Sequence, residues 1–186
     1  MIKKIIVTVG LIASTLFFSG YVKPDVYNID AEKNAINHNN VGLNAMQDGR
    51  IYEAIQEFHM AIALNPKTQA TAVYYNNLGD AYMKAGYFAE AQRCYERAIV
   101  QYSLNFMYYQ NLVKSFKAQN LISKKIPLYK QKAEKNPMSM IILGLLYIES
   151  GNKRSGIIKL DEFCMQEPNL LITGAVRNYI QQVLAQ

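Results

Sequence analysis

Residues 41–66 carry a pattern that returns further along the chain. They read VGLNAMQDGRIYEAIQEFHMAIALNP, with apolar residues at helical spacing on both sides of Gly49. The same order of apolar, small and turn residues returns in LGDAYMKAGYFAEAQRCYERAIVQYS from residue 78, and twice more in less regular form. Each unit is predicted to be two amphipathic helices joined by a tight turn. Such pairs bury their apolar faces by stacking, so the sequence predicts an all-α solenoid.

The residues at fixed places in these units resemble the tetratricopeptide repeat family. The second unit matches best, with marker residues at Tyr75, Leu78, Gly79, Tyr82, Gly86, Ala91, Tyr95 and Ala98. The resemblance implies a right-handed superhelix whose first helices line a concave groove. It also implies a set of four repeats and a capping helix, at residues 35–68, 72–105, 106–136, 137–170 and 171–186.

The third repeat departs from the family pattern. Val113 replaces the close-approach glycine, and Lys125 and Lys132 replace the small residues of the second helix. Pro127 would interrupt a helix interior, so this helix is predicted to begin late, with Ser123 as its N-cap. The third repeat is therefore expected to be looser than its neighbours.

The N-terminal segment, residues 1–22, has the layout of an export segment. Lys3 and Lys4 are followed by an uncharged run at residues 5–22, which has no small-x-small cleavage pattern at its end. The run is long enough to span a bilayer as a helix. Two interpretations remain open, a cleaved signal peptide or a retained transmembrane anchor, followed by a linker at residues 23–34. Both place the repeats outside the cytoplasmic membrane, in a periplasmic or similar space.

Amide side chains recur at one place in three successive first helices. They are Asn40, Asn77 and Asn111, and the residues before them are Asn39, Asn76 and Gln110. The planar amide carries a donor and an acceptor, so a ladder of such groups can pair with a peptide backbone. The resemblance implies that this ladder lines the groove, with Asp80, Lys114 and Lys117 beside it. The alternative is that these amides only satisfy local backbone.

The fourth repeat places apolar residues where its neighbours have amides. They are Ile141, Ile142, Leu145 and Ile148. An exposed strip of this kind marks a contact surface for an apolar side chain or a second copy. The alternative is that the capping helix or the linker covers it.

Charge separates the chain into regions. Residues 24–112 carry six basic and nine acidic side chains, whereas residues 113–159 carry ten basic and two acidic ones. Solvated helix faces explain much of this asymmetry, but a basic zone also suits an acidic protein or an anionic membrane surface. The export segment and the lack of a reading motif argue against nucleic acid.

No pattern in the sequence predicts catalysis, a metal site or a cofactor. The chain has two histidines, His38 and His59, and two cysteines, Cys94 and Cys164, without metal-binding spacing or a paired nucleophile and base. A small-molecule substrate is not expected. The leading hypothesis is a non-enzymatic, exported adaptor, tethered to the membrane if the anchor is retained, that binds a peptide or protein in its concave groove. The alternative is a structural subunit of a cell-envelope or secretion assembly.

Overall fold

The computed structural model describes residues 30–185, and these form nine α-helices without a strand. The helices are α1 (Ala31–Gln47), α2 (Ile51–Leu64), α3 (Gln69–Ala85), α4 (Phe88–Gln101), α5 (Phe106–Ala118), α6 (Ile122–Ala133), α7 (Met138–Glu149), α8 (Lys153–Gln166) and α9 (Leu171–Leu184). Residues 31–186 make up one compact unit. The predicted export segment and most of the predicted linker fall outside the described residues. Among the helices that are described, none is long and apolar enough to cross a membrane.

A glycine in the first helix lets the second helix of the same pair approach closely. A Cβ on Gly79 of α3 would lie 2.5 Å from Cε1 of Tyr95 on α4. The same contact recurs in α1, where a Cβ on Gly42 would lie 2.6 Å from the ring of Phe58 on α2. The sequence pattern of a small residue opposite a large one is thus a packing requirement, because a methyl group would overlap the ring.

The turns within the helical pairs use the left-handed backbone region. Gly49, Gly86 and Gly151 have φ angles of 77°, 82° and 89°, and the third turn places Asn120 there with a φ of 56°. Asn tolerates this region better than most residues because its short polar side chain can bond locally. The substitution of Asn for Gly therefore keeps the turn in the third repeat.

Helix α6 begins earlier than predicted. Its hydrogen bonds start with the amide of Lys125, which donates to the Leu121 carbonyl at 2.9 Å, so Ser123 is not the N-cap. Pro127 is consequently the sixth helical residue and lies beyond the first turn. Helix α6 packs mainly against α7 and only lightly against α5, unlike the other pairs. The prediction of a looser third repeat is confirmed by this light packing.

The C-terminal helix α9 packs against α8 and also reaches α5. Its contact with α5 includes Phe106 and Tyr179, whose ring centroids lie 5.3 Å apart. One continuous core joins buried residues from α4 to α9, whereas α1 to α3 share smaller clusters with α4 and α5. Helix α9 thus ends the open face that α1, α3 and α5 form.

Candidate peptide-binding groove

The amide side chains of successive first helices are bonded to one another. Nδ2 of Asn77 on α3 donates to Oδ1 of Asn39 on α1 at 2.8 Å. One repeat further on, Nδ2 of Asn111 on α5 donates to Oδ1 of Asn76 on α3 at 3.0 Å. The same pair of positions is joined each time, so the amides hold neighbouring first helices in equivalent registers.

Asp80 is the centre of this network. Its carboxylate accepts the hydroxyl of Tyr95 at 2.7 Å, Nδ2 of Asn76 at 3.2 Å and Nδ2 of Asn111 at 3.3 Å. Burial raises the pKa of Asp80, and the hydrogen bonds from Tyr95 and Asn76 and the charges of Lys114 and Lys84 oppose that rise. Burial also raises the pKa of Tyr95, with a further contribution from the Asp80 charge. The carboxylate ties α3, α4 and α5 together at one point.

The predicted ladder therefore has a structural use in the free protein. Asn39, Asn76 and Asn111 are buried, Asn77 is half-buried and Asn40 is exposed. Buried amides that satisfy each other lower the cost of burying polar groups between repeats. Peptide binding by these amides stays a prediction, with Asn40 and Asn77 as the members of the ladder that a ligand reaches most easily.

The two predicted lysines differ in their surroundings. Lys117 on α5 pairs with Glu149 on α7 at 2.8 Å, and this hydrogen bond raises the pKa of Lys117. Lys114 is exposed, and its Nζ lies 3.5 Å from Oδ1 of Asn111. Lys114 is thus the cation of this pair that is available to a ligand, because no carboxylate within residues 30–185 forms an ion pair with it.

The apolar strip predicted on the fourth repeat is not an exposed groove surface. The structure buries Ile141, Ile142 and Leu145, with relative exposures of 0%, 6% and 3%, and half-buries Ile148. Helix α7 is apolar on nearly all sides and packs against α5, α6 and α8. The expectation of an exposed strip was wrong, because the fourth repeat's first helix is packed against its neighbours rather than open to the groove. The strip therefore does not support the hypothesis of a fixed contact with another subunit of an assembly.

A row of exposed apolar side chains on the first helices was missed in the sequence. It consists of Ile36 on α1, Val73 on α3 and Met107 on α5. The intervals between these positions along the chain equal those between Asn40, Asn77 and Asn111. This regular spacing was visible in the sequence. It was not read as a surface feature, because apolar residues in amphipathic helices are normally assigned to the core.

The row ends near α9. Met107 lines a depression of about 540 Å³ together with Gln110 of α5 and Leu171 and Ala175 of α9. Gln110 also borders a smaller pocket of about 170 Å³ with Lys114 and with Tyr179 of α9. Helix α9 therefore forms the end wall of the open face.

Histidines and cysteines take part in packing contacts. Nδ1 of His38 lies 2.7 Å from Oε2 of Glu57, and Nε2 of His59 lies 3.0 Å from the hydroxyl of Tyr82. Cys94 and Cys164 are free and buried, and burial raises the pKa of the Cys94 thiol to about 12. Within the described part of the chain, no three potential metal ligands come together.

The basic residues of the third repeat are mostly exposed. They are Lys124, Lys125, Lys130, Lys132 and Lys135, and of these Lys125 is half-buried. Nζ of Lys125 lies 4.5 Å from the centre of the Phe116 ring, and Nζ of Lys132 lies 5.0 Å from that of Tyr129. Two of the lysines are thus held against aromatic rings by cation–π contacts, and the others are free to meet solvent or an anionic surface.

A comparison with family models gives a match over the first two repeats. Residues 33–100 match the model described as tetratricopeptide repeat. These residues are tetratricopeptide repeats. A comparison with curated protein sequences gives no match. The fold is typical of non-enzymatic scaffolds and suggests a protein–protein interaction adaptor.

Solved structures support the same fold over most of the chain. A tetratricopeptide repeat protein from Parabacteroides merdae is similar with a TM-score of 0.51 and 15% identity, over 82% of this chain and 61% of that one. The crystal structure of MamA is similar with a TM-score of 0.50 and 20% identity, over 75% of this chain and 81% of that one. The pilF protein of Pseudomonas aeruginosa is similar with a TM-score of 0.50 and 16% identity, over 81% of this chain and 68% of that one. At these identities the likeness concerns the repeat fold alone.

Proposed function

We propose that this tetratricopeptide repeat chain is an adaptor that binds a segment of a protein partner across α1, α3 and α5. The observation that carries the proposal is the set of reachable polar groups on these three neighbouring helices. Asn40 is exposed, Asn77 is half-buried, and Lys114 is exposed without an ion pair among the described residues. Backbone amides of a bound segment can donate to these amide oxygens, and its carbonyls can accept from their nitrogens.

The charges beside the groove favour an acidic partner. Lys84 and Lys114 are both exposed and lie near Asp80, where each acts on its carboxyl group. Asp80 already receives hydrogen bonds and is withdrawn from solvent, so it offers a ligand less charge than the lysines do. A carboxylate on the partner would form charge-assisted hydrogen bonds with these lysines, which are stronger than neutral ones.

We further propose that the repeats work outside the cytoplasmic membrane. The support is the sequence of residues 1–22, where Lys3 and Lys4 precede an uncharged apolar run. If the run stays attached, exposed lysines such as Lys124 and Lys130 favour association of the repeats with an anionic lipid surface. Sequencing the N-terminus of the mature protein distinguishes the two forms. A start at Met1 indicates an anchored protein, and a start near residue 20 indicates a cleaved one.

The groove is tested by changing exposed residues only. Partners are recovered with the full chain, and the affinity of the partner identified is then measured for Asn40→Ala combined with Lys114→Ala. Loss of a neutral and a charge-assisted hydrogen bond is expected to weaken binding by about 2 kcal/mol, close to thirtyfold. Lys67→Ala, an exposed lysine between α2 and α3 and outside the basic zone, is the matched control. If the double variant binds as the wild type does, the partner does not use the groove.

A further inference from the structure

The exposed apolar row and the amide positions lie on one face of the first helices. Ile36, Val73 and Met107 are exposed by 45%, 44% and 46%, nearly equal fractions for equivalent positions. In each helix the amide follows four residues later, at Asn40, Asn77 and Asn111, which is the next turn of the same face. The groove therefore has an apolar edge at the N-terminal side of its amide row.

The other edge of the amide row is charged. Lys114 follows Asn111 by three residues, and Lys84 follows Asn77 by seven, so both stay on the groove face beyond the amides. Neither lysine forms an ion pair with a carboxylate of residues 30–185. A ligand that spans the face would thus meet apolar side chains, then amides, then cations.

The spacing of the row selects the conformation of the ligand. Successive first helices lie side by side, because Asn77 bonds to Asn39 and Asn111 bonds to Asn76. Helices in such contact have axes about 8–10 Å apart. Side chains on one face of a β-strand recur every ~6.7 Å, which does not match that distance. In a polyproline-II segment every third residue returns to the same face after about 9.3 Å, which does. A helical ligand could match at every seventh residue, roughly 10.5 Å, but its backbone groups are bonded internally and would leave the amide row unused.

We propose, on the basis of the groove function above, that the groove recognises a polyproline-II segment with three distinct faces. Apolar side chains at every third residue contact Ile36, Val73 and Met107, and acidic side chains on a second face meet Lys84 and Lys114. The unbonded backbone of the segment pairs with the accessible amides, because polyproline II has no internal hydrogen bonds. The third face is turned to solvent. Three repeats accommodate about nine residues before the wall that α9 forms at Leu171.

The probe is a fluorescein-labelled nine-residue peptide of three Leu-Pro-Glu triplets. A second peptide of three Leu-Glu-Pro triplets places the acidic side chain on the opposite side of the leucine. Binding is measured by anisotropy to the full chain held in lipid nanodiscs, because residues 5–22 are uncharged and apolar. A peptide of the same composition with leucine at every second position tests the spacing, and lysine in place of glutamate tests the charge. We expect one triplet order to bind at least tenfold more tightly than both control peptides.

Two residues of the apolar row have a matched exposed residue outside the groove. Val73→Ser is compared with Val100→Ser on α4, and Met107→Gln with Met165→Gln on α8. About half of each row side chain is exposed in the free protein and becomes buried when the peptide binds. Each row substitution is therefore expected to weaken the affinity for the peptide about fivefold. The two together are expected to weaken it about twenty-fivefold. The comparison substitutions should change the affinity less than twofold, and all four sites are exposed enough to leave folding intact.

Equal binding of the two leucine spacings, or equal loss from the row and comparison substitutions, overturns this inference. So does the absence of binding to either triplet order. These failures differ from failure of the groove function. If Asn40→Ala with Lys114→Ala still weakens the native partner while the triplet peptides do not bind, the groove is used by a segment of another conformation.

Discussion

The contact between Gly79 and Tyr95 makes a quantitative prediction for the change Gly79→Ala. The new methyl group would lie 2.5 Å from Cε1 of Tyr95, where ordinary contact begins at 3.4 Å. The ring cannot turn away easily, because Tyr95 is buried and its hydroxyl donates to Asp80 at 2.7 Å. Overpacking of this kind destabilises a protein by about 1–3 kcal/mol. Because the Tyr95 ring is fixed by both its packing and its hydroxyl, we expect a cost at the upper end of this range. Alanine gains about 1 kcal/mol of helix propensity over glycine, so we expect a net loss of about 2 kcal/mol.

Gly174 of α9 provides the control. It is exposed, and nothing would lie within 4 Å of its Cβ, so Gly174→Ala is expected to stabilise by about 0.5–1 kcal/mol. Gly42→Ala meets Phe58, a ring without a hydroxyl anchor, and should cost less than Gly79→Ala. Urea unfolding followed by circular dichroism measures all three in a form that begins at Asp30. A Gly79→Ala protein as stable as the wild type would refute the packing argument.

Three further predictions follow from burial and backbone geometry. The pKa of Asp80 is raised in the folded protein, so the native state binds more protons than the unfolded state. The free energy of unfolding therefore falls as the pH rises from about 4 through the folded pKa. Asp80→Asn should remove this dependence in urea titrations at several pH values. The thiols of Cys94 and Cys164 should resist a disulfide reagent at pH 8 and react fully in urea, because both are buried and their pKa values are raised. Pro127→Ala should stabilise by about 1–3 kcal/mol, since it restores a donor for the Ser123 carbonyl, and hydrogen exchange of α6 should slow.

The sequence was sufficient for the helical pairs because their contacts are local. Gly79 and Tyr95 lie on the two consecutive helices of one pair, and Gly42 faces the ring of Phe58 in the same way in the first repeat. Turn glycines with a positive φ add a second local signal at Gly49 and Gly86. The start of α6 was less predictable, because its lysines and proline weaken the signals that define a first turn.

The candidate site was harder to predict because it depends on contacts between repeats. The positions of the amides were visible, but their bonds to one another, such as Asn77 to Asn39, depend on how the first helices stack. The burial of Ile141 accompanies the packing of α7 against α5, a first helix of the preceding repeat. A repeat pattern describes neighbours in sequence and carries no information on contacts that skip a repeat.

The return of α9 to α5 also affects how the protein unfolds. In a regular solenoid each repeat contacts only its neighbours, so the ends fray independently and stability is a sum of local terms. Here the contact of Phe106 with Tyr179 joins repeat three to the last helix, and a single core extends from α4 to α9. The C-terminal half should therefore unfold as one cooperative block, while α1 and α2, which share only small clusters with their neighbours, open first. The open face that includes Ile36 and Asn40 would then be adjustable at one end and rigid at the other.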